Sequence, residues 1–315
     1  MNLLRRIPAA CGPLLGFLAV FLWFAVRNPD DFPTAGNLLM VAVHTVIVAL
    51  VALGMTFVVV SGGIDLSVGS VVALSSVTTA VLRQAGWDIA PAALAGLASG
   101  LGVGLLNGLL VVRLGIGPFL VTLGTMGIAR GLAKWFAAER VVQADAGWLP
   151  GWMSKYPDPP WLVLAPAVWL MLLLALGLGV VLARSRFGVH CYAVGSNEQN
   201  ARLCGVSIGA VKMRIYGLVG LMAGLAGVLH FARVRVGDPM AGNGLELQVI
   251  AAVVLGGGSL AGGEGSVAGS LLGALCMALL ANGCTLEGLP NYVQDILVGA
   301  IIILAVALDR WRHRA

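Results

Sequence analysis

Few side chains in this sequence offer chemistry, and one of them has an unusual setting. In GMTFVVVSGGIDLSVGS, residues 54–70, a valine-rich run breaks at Ser61-Gly62-Gly63, presents a carboxylate at Asp65 and turns apolar again at once. A charged carboxylate at the centre of a bilayer costs about 2.5 kcal/mol or more, so it marks a pathway or is stabilised locally. Asp65 opens the next helical run, where it can accept from the backbone N–H of Ser67 or Val68 and face the positive helix end. Two roles stay open for it: a structural cap, or a direct part in solute passage or gating. In both, Gly62 and Gly63 let the chain reverse within a few residues, with protein rather than lipid shielding the irregular backbone.

Other chemistries are missing. No G-x-x-x-x-G-K-[ST] occurs, so the chain has no P-loop for ATP. GGGSLAGGEGS, residues 256–266, is rich in glycine but lacks the lysine and a soluble strand before it. The four histidines (44, 190, 230 and 313) are scattered, and neither HExxH, GxSxG nor a carboxylate pair appears. The five cysteines (11, 191, 204, 276 and 284) show no metal spacing and read as small packing residues. Ionisable residues deep in apolar segments come down to Asp65, with Arg130 and Asp295 nearer the ends, fewer than an ion-driven carrier usually needs. The energy source is expected elsewhere.

The elements that must hold these residues are membrane helices. The chain has 315 residues, 59% hydrophobic and 10% charged, with a mean hydropathy of +0.96. Soluble domains carry about 25% charged residues, so this chain needs lipid as solvent. Scanning for stretches of roughly 20 apolar residues gives about ten candidate spans. They begin near Gly12, Leu38, Ile64, Pro91, Ile116, Trp161, Lys212, Glu246, Ser266 and Pro290. The first reads as an uncleaved span, because no small-residue cleavage site precedes Arg27. The expectation is an all-α integral membrane protein, a polytopic bundle forming one domain over 1–315.

The formal charge of +5 reflects topology rather than a nucleic-acid surface, since the basic residues do not share one amphipathic face. With ten spans and an inside N-terminus, eleven cations fall inside: Arg5, Arg6, Arg113, Arg184, Arg186, Arg202, Lys212, Arg214, Arg310, Arg312 and Arg314. Seven fall outside: Arg27, Arg83, Lys134, Arg140, Lys155, Arg233 and Arg235. This asymmetry puts both termini in the cytoplasm.

Glycines recur every fourth residue at 96, 100, 104 and 108, at 265, 269 and 273, and at 220 and 224. In lipid, such spacing makes seams where helix backbones approach closely. Val59-Val60-Ser61-Gly62-Gly63 with Gly69-Ser70-Val71 parallels Val254-Leu255-Gly256-Gly257-Gly258 with Gly265-Ser266-Val267, and Asn107-Gly108 and Asn282-Gly283 follow at unequal distances. Interrupted helices at matching positions of an internal repeat point towards a transport pathway. Residues 134–160, with Trp148, Trp152 and the adjoining Trp161, read as an external loop that either anchors at headgroups or docks an external protein. Residues 183–214 form the longest polar stretch on the inner face, with a short helix capped by Asn197 and ended by Gly205.

GMTFVVVSGGIDLSVGSVVAL, AVGSNEQNARLCGVSIGAVKMRIYGLVGLMAGLAGVL and ELQVIAAVVLGGGSLAGGEGSVAGSLLGAL resemble the permeases of bacterial ribose-type sugar ABC importers, over about residues 38–309. The resemblance implies a multi-pass subunit of the bacterial inner membrane that is not an enzyme and holds no cofactor. Its implied partners are a second permease copy or a sister permease, two cytoplasmic ATPase subunits that bind ATP and magnesium, and a periplasmic binding protein that delivers a monosaccharide. The family's coupling segment maps onto Gly195, Asn197, Glu198, Ala201, Arg202 and Gly205; Cys204 stands where a small polar residue is expected, and Glu264 where relatives often carry a basic one. Ser61, Gly62, Gly63, Asp65 and Asn107 are the pathway or helix-turn candidates. Specificity resting mainly with the binding protein leaves a nucleoside, an autoinducer or a branched-chain amino acid open as solute. A stand-alone ion-coupled carrier is the reading from another transport class.

Overall fold

Each of the ten apolar stretches folds into a helix, and what joins them is mostly tight turn. The computed structural model describes residues 11–314; Arg5, Arg6 and the side chains of Cys11, Arg310, Arg312 and Arg314 lie outside the described residues. The chain runs through α1 (Cys11–Arg27), α2 (Ala35–Val60), α3 (Val68–Gln84), α4 (Ile89–Leu114) and α5 (Pro118–Phe136). After a connection holding β1 (Val142–Gln143) and two single 3-10 turns come α6 (Pro166–Arg184), α7 (Arg186–Ser196), α8 (Glu198–Leu203) and α9 (Ile208–Val234). Then follow β2 (Val236–Gly237), α10 (Leu245–Leu255), α11 (Val267–Leu286) and α12 (Asn291–Arg314).

Among the described residues, five helices are long and apolar enough to cross a membrane: Ala35–Val60, Ile89–Leu114, Pro160–Arg184, Ile208–Val234 and Val267–Leu286. The chain is therefore an α-helical, multi-pass membrane protein. Not every expected span is a full one. α10 has 11 residues and rises about 16 Å, half of a bilayer core of about 30 Å. Glycine-rich backbone, 256–266, takes over where it stops. The stretch 183–214 is also more regular than a loop, since α7 occupies its first third.

The only strands among the described residues are β1 and β2, paired antiparallel with Val142 opposite Gly237. They tie the 134–160 segment to the end of α9. Ring centroids of Trp148 and Trp152 lie 6.1 Å apart in that segment.

The core is built on α2 and α9. Seventeen residues of α2 between Val41 and Val60 are buried, so this helix has no lipid face over most of its length. α9 packs beside it: a Cβ at Gly54 of α2 would lie 2.7 Å from the Cα of Val219. The glycine seams are where the spacing placed them. A Cβ at Gly100 would lie 2.5 Å from the Cα of Gly224, and one at Gly220 would lie 2.7 Å from the Cα of Gly104. α4 and α9 therefore touch backbone to backbone, the geometry that gives dispersion contact where lipid supplies no hydrophobic drive. Gly269 and Gly273 seat α11 on α10 in the same way, against Gly256 and Ala252. Gly265 is different: it lies in the turn before α11, at φ +145°. Outside the seams, Leu105, Leu109, Leu120 and Ile128 are exposed on α4 and α5, as lipid-facing side chains are.

The two faces of α4 give a direct test. Gly100→Ala puts a methyl into the α9 backbone and should lower stability by about 1–3 kcal/mol. Gly102→Ala meets nothing within 4 Å and, by helix propensity, should be neutral or gain up to about 1 kcal/mol. Thermal unfolding in detergent micelles, followed by tryptophan fluorescence, measures both.

Candidate functional site

Two turns and a short helix meet at one end of the bundle. α2 ends in a Schellman turn: Gly62 N–H donates to Val59 O and Gly63 N–H to Val58 O, both at 2.9 Å, with Gly62 at φ +77°. α10 ends in the same turn, Gly257 N–H to Val254 O and Gly258 N–H to Val253 O at 2.9 Å, with Gly257 at φ +86°. This left-handed position suits glycine and satisfies carbonyls that the helix end leaves free. The parallel between the two sequence segments is thus a shared way of ending a helix inside protein. It does not extend to the asparagines. Asn107 joins the Asp65 turn, whereas Asn282 exchanges two amide hydrogen bonds of 2.9 Å with Asn37 at the start of α2.

The two turns are also bonded to each other. Gly263 N–H donates to Val60 O at 2.8 Å. A Cβ on Gly262 would sit 2.9 Å from the Cα of Gly62 and 2.7 Å from the carbonyl oxygen of Gly195. Gly195 itself lies against Val60 O and the backbone nitrogen of Gly263. α7 is fastened at this junction by its side chains as well. The Tyr192 hydroxyl donates to Gly265 O at 2.7 Å, and Phe187 stacks on Phe57 of α2 with centroids 5.9 Å apart.

α8 hangs from the junction. Asn197 Oδ1 accepts from Asn200 N–H at 2.9 Å, capping the helix, and Gly205 closes it at φ +83°. Ala201 is buried, while Arg202 and Leu203 are exposed, Leu203 by 85%. Glu198 faces two ways, 2.6 Å from Lys212 Nζ in the first turns of α9 and 3.5 Å from Arg202. The helix that shows Leu203 outward is thereby tied to α9.

Asp65 lies just beyond the junction and is almost wholly buried. Its Oδ1 accepts from Ser67 N–H at 2.8 Å and from Ser67 Oγ at 2.6 Å. The helix itself starts at Val68 with Ser67 as its capping residue, so the carboxylate closes the turn two residues before the N-cap position. Asn107 Nδ2 donates to Ser67 Oγ at 2.9 Å, and Thr122 Oγ1 accepts from Leu66 N–H at 3.2 Å. α4 and α5 are thus drawn onto the same turn. Asn107 Oδ1 and the Tyr216 hydroxyl, also buried here, have no hydrogen-bond partner among the described residues.

Towards the other end of the bundle the polar groups line open space. A cavity of about 260 Å³ is bounded by His44 of α2, His230 and Arg233 of α9, Asn243 and Gln248, with Met277 and Ala281 of α11. A second, of about 280 Å³, shares Gln248, Met277 and Ala281 with it and adds Asn291, Gln294 and Asp295 of α12. Along α2, His44 stands about 24 Å from Val60; along α9, His230 stands about 27 Å from Lys212. Cavity and junction are therefore joined by the two central helices.

The sequence model of the family described as branched-chain amino acid transport system / permease component matches residues 37–306. The chain belongs to this permease family. The permease is 37% identical to the ribose import permease of Bacillus subtilis over 95% of its own length and 92% of that protein. It is 35% identical to the autoinducer 2 import system permease of Photorhabdus luminescens, covering 94% and 88%, and 33% identical to the L-arabinose ABC transporter permease of Azospirillum brasilense, covering 96% and 88%. No solved structure matches it.

In the permease, the structure brings Ser61, Gly62, Gly63 and Gly195 into the junction, sets Asp65 and Asn107 beside it, and places Glu198, Ala201 and Arg202 on α8, with Asn197 and Gly205 at its two ends. None of these residues lines either cavity. The cavity residues escaped sequence reasoning because His44, His230 and Gln248 lie far apart in the chain and match no motif. One signal was available: histidine and glutamine are rare in apolar helices and normally face a polar interior. Arg130, one of the two ionisable residues expected nearer the span ends, donates to the carbonyls of Pro239 and Ala241 at 2.7 Å and so holds the chain before α10.

Asp65→Asn keeps an acceptor for Ser67 N–H and should fold close to normally. Asp65→Leu leaves that buried N–H unpaired and should cost about 1–3 kcal/mol, read as a lower unfolding midpoint in detergent.

Proposed function

We propose that the chain is the membrane-spanning subunit of an ATP-driven importer in the bacterial inner membrane, moving a monosaccharide delivered by a periplasmic binding protein. ATP and magnesium are held by cytoplasmic ATPase subunits, and a second copy or a sister permease completes the channel. The α7–α8 end, with both termini, faces the cytoplasm; residues 1–315 act as one permease domain of about ten membrane helices, α10 a half-length one among them. The names of the relatives, ribose and L-arabinose permeases, support the solute class. The observation that carries the mechanism is the junction. α8 shows Leu203 and Arg202 outward, α7 touches the turns after α2 and α10 through Gly195 and Tyr192, and Glu198 reaches α9 through Lys212.

The stroke follows from that wiring. Closure of the ATPase subunits displaces α8. With Gly195, Gly62 and Gly262 in van der Waals contact, α7 cannot move without shifting both turns. Lys212 draws on α9 at the same time, and the central helices move as rigid rods whose far ends wall the cavities. Asp65 keeps its turn intact during the shift. The similarity to autoinducer 2 permeases favours a second solute class, and the same assay run with that solute separates the two.

In proteoliposomes, uptake of D-ribose or L-arabinose should require the ATPase, ATP and the loaded binding protein. Leu203→Glu should prevent copurification of the ATPase. Lys212→Ala, which unties α8 from α9, should keep that complex but lower ATP-driven uptake by about tenfold, the scale of a lost coupling contact. Uphill transport by the purified chain alone, driven by an ion gradient, would establish a secondary carrier instead.

A further inference from the structure

We propose that the cavity walled by α2, α9, α10 and α11 is the site where the permease itself holds its solute, and that it takes a neutral, multiply hydroxylated molecule of monosaccharide size. The inference rests on the importer reading and adds the residues that meet the cargo.

The size is right for this class. At about 260 Å³ the space is below the roughly 300–1,000 Å³ of drug-sized sites. The chemistry fits as well. Gln248 and Asn243 each offer donors and an acceptor, and a neutral histidine offers one of each. Hydroxyl groups, which both donate and accept, can satisfy such a lining, whereas an apolar side chain such as that of leucine would leave it unpaired. His230 Nδ1 is buried with no hydrogen-bond partner among the described residues, a costly arrangement unless a visiting group completes it.

Charge argues against an ionic solute. Arg233 brings one positive charge, and Asp295 in the adjoining cavity brings one negative charge. Asp238 lies within electrostatic range of His230, as Arg233 does. Among the described residues, the lining has no Phe, Tyr or Trp on which a ring could stack. A site that binds through a few hydroxyl contacts and no aromatic face holds its solute weakly, as a translocating site must.

The test uses the permease reconstituted with its ATPase and binding protein, and radiolabelled D-ribose, L-arabinose and D-galactose. Ala281→Leu narrows the cavity, and Gln248→Ala and His230→Ala remove polar contacts. Each should lower maximal sugar uptake by about tenfold, as loss of a good polar contact or of room does, while the loaded binding protein stimulates ATP hydrolysis as in the unmodified complex. Ala281→Leu should penalise D-galactose more than D-ribose, a size effect that general damage to the fold would not give. Should His230→Ala fail to assemble, Gln248→Ala and Ala281→Leu decide the matter. Unchanged uptake in the assembled variants, or uptake lost only together with stimulated ATP hydrolysis, overturns the assignment. An unmodified complex that takes up none of the three sugars sinks the monosaccharide reading, and the solute class assigned here with it.

Discussion

The hydrogen bond from Gly263 N–H to Val60 O joins the end of α2 to the turn before α11, where the chain on both sides leaves the helix and exposes backbone that lipid could not tolerate. Each piece ends a helix in a left-handed glycine, and each needs the other as its cover. Because the bond runs between main-chain atoms, side-chain chemistry sets it only by staying out of the way. Glycine at 62, 195, 262 and 263 is what lets three backbone segments meet within van der Waals distance. The position of α7 follows from this contact, and α8 follows α7.

From that junction the structure extends along two nearly buried helices. α9 is the more revealing. Its glycine face accepts the backbone of α4, its first turns hold Lys212 against Glu198, and its last turns carry His230 and Arg233 into the cavity. A helix of 27 residues packed on all sides is stiff, so an event at one end has a mechanical route to the other. α2 provides a second route of similar length, from Val60 to His44. The Asp65 turn lies between them as a fixed corner. Its carboxylate is engaged by Ser67, and Ser67 by Asn107.

Polar groups are divided between the two ends by purpose. Near the junction most of them are engaged: Asp65, Ser67 and Asn107 bond to one another, and Thr122 bonds to the backbone of the same turn. In the cavities they face open space. The first set is buried where α3, α4 and α5 meet near the junction, and the second lines the cavities towards the opposite end.

Local rules in the sequence settled a good part of this. Apolar stretches of span length became helices, glycine at every fourth position became the α4–α9 seam, and Asn197 and Gly205 bounded α8, because each effect depends on neighbours within a few turns. The Ser61-Gly62-Gly63 break was legible as a turn for the same reason. Tertiary structure alone decided the rest. That α10 stops halfway, that Gly263 finds Val60 across some two hundred residues of sequence, and that His44, His230 and Gln248 share one cavity are consequences of packing between distant segments. No local pattern encodes such encounters, since the energy that selects them arises only once the helices are side by side.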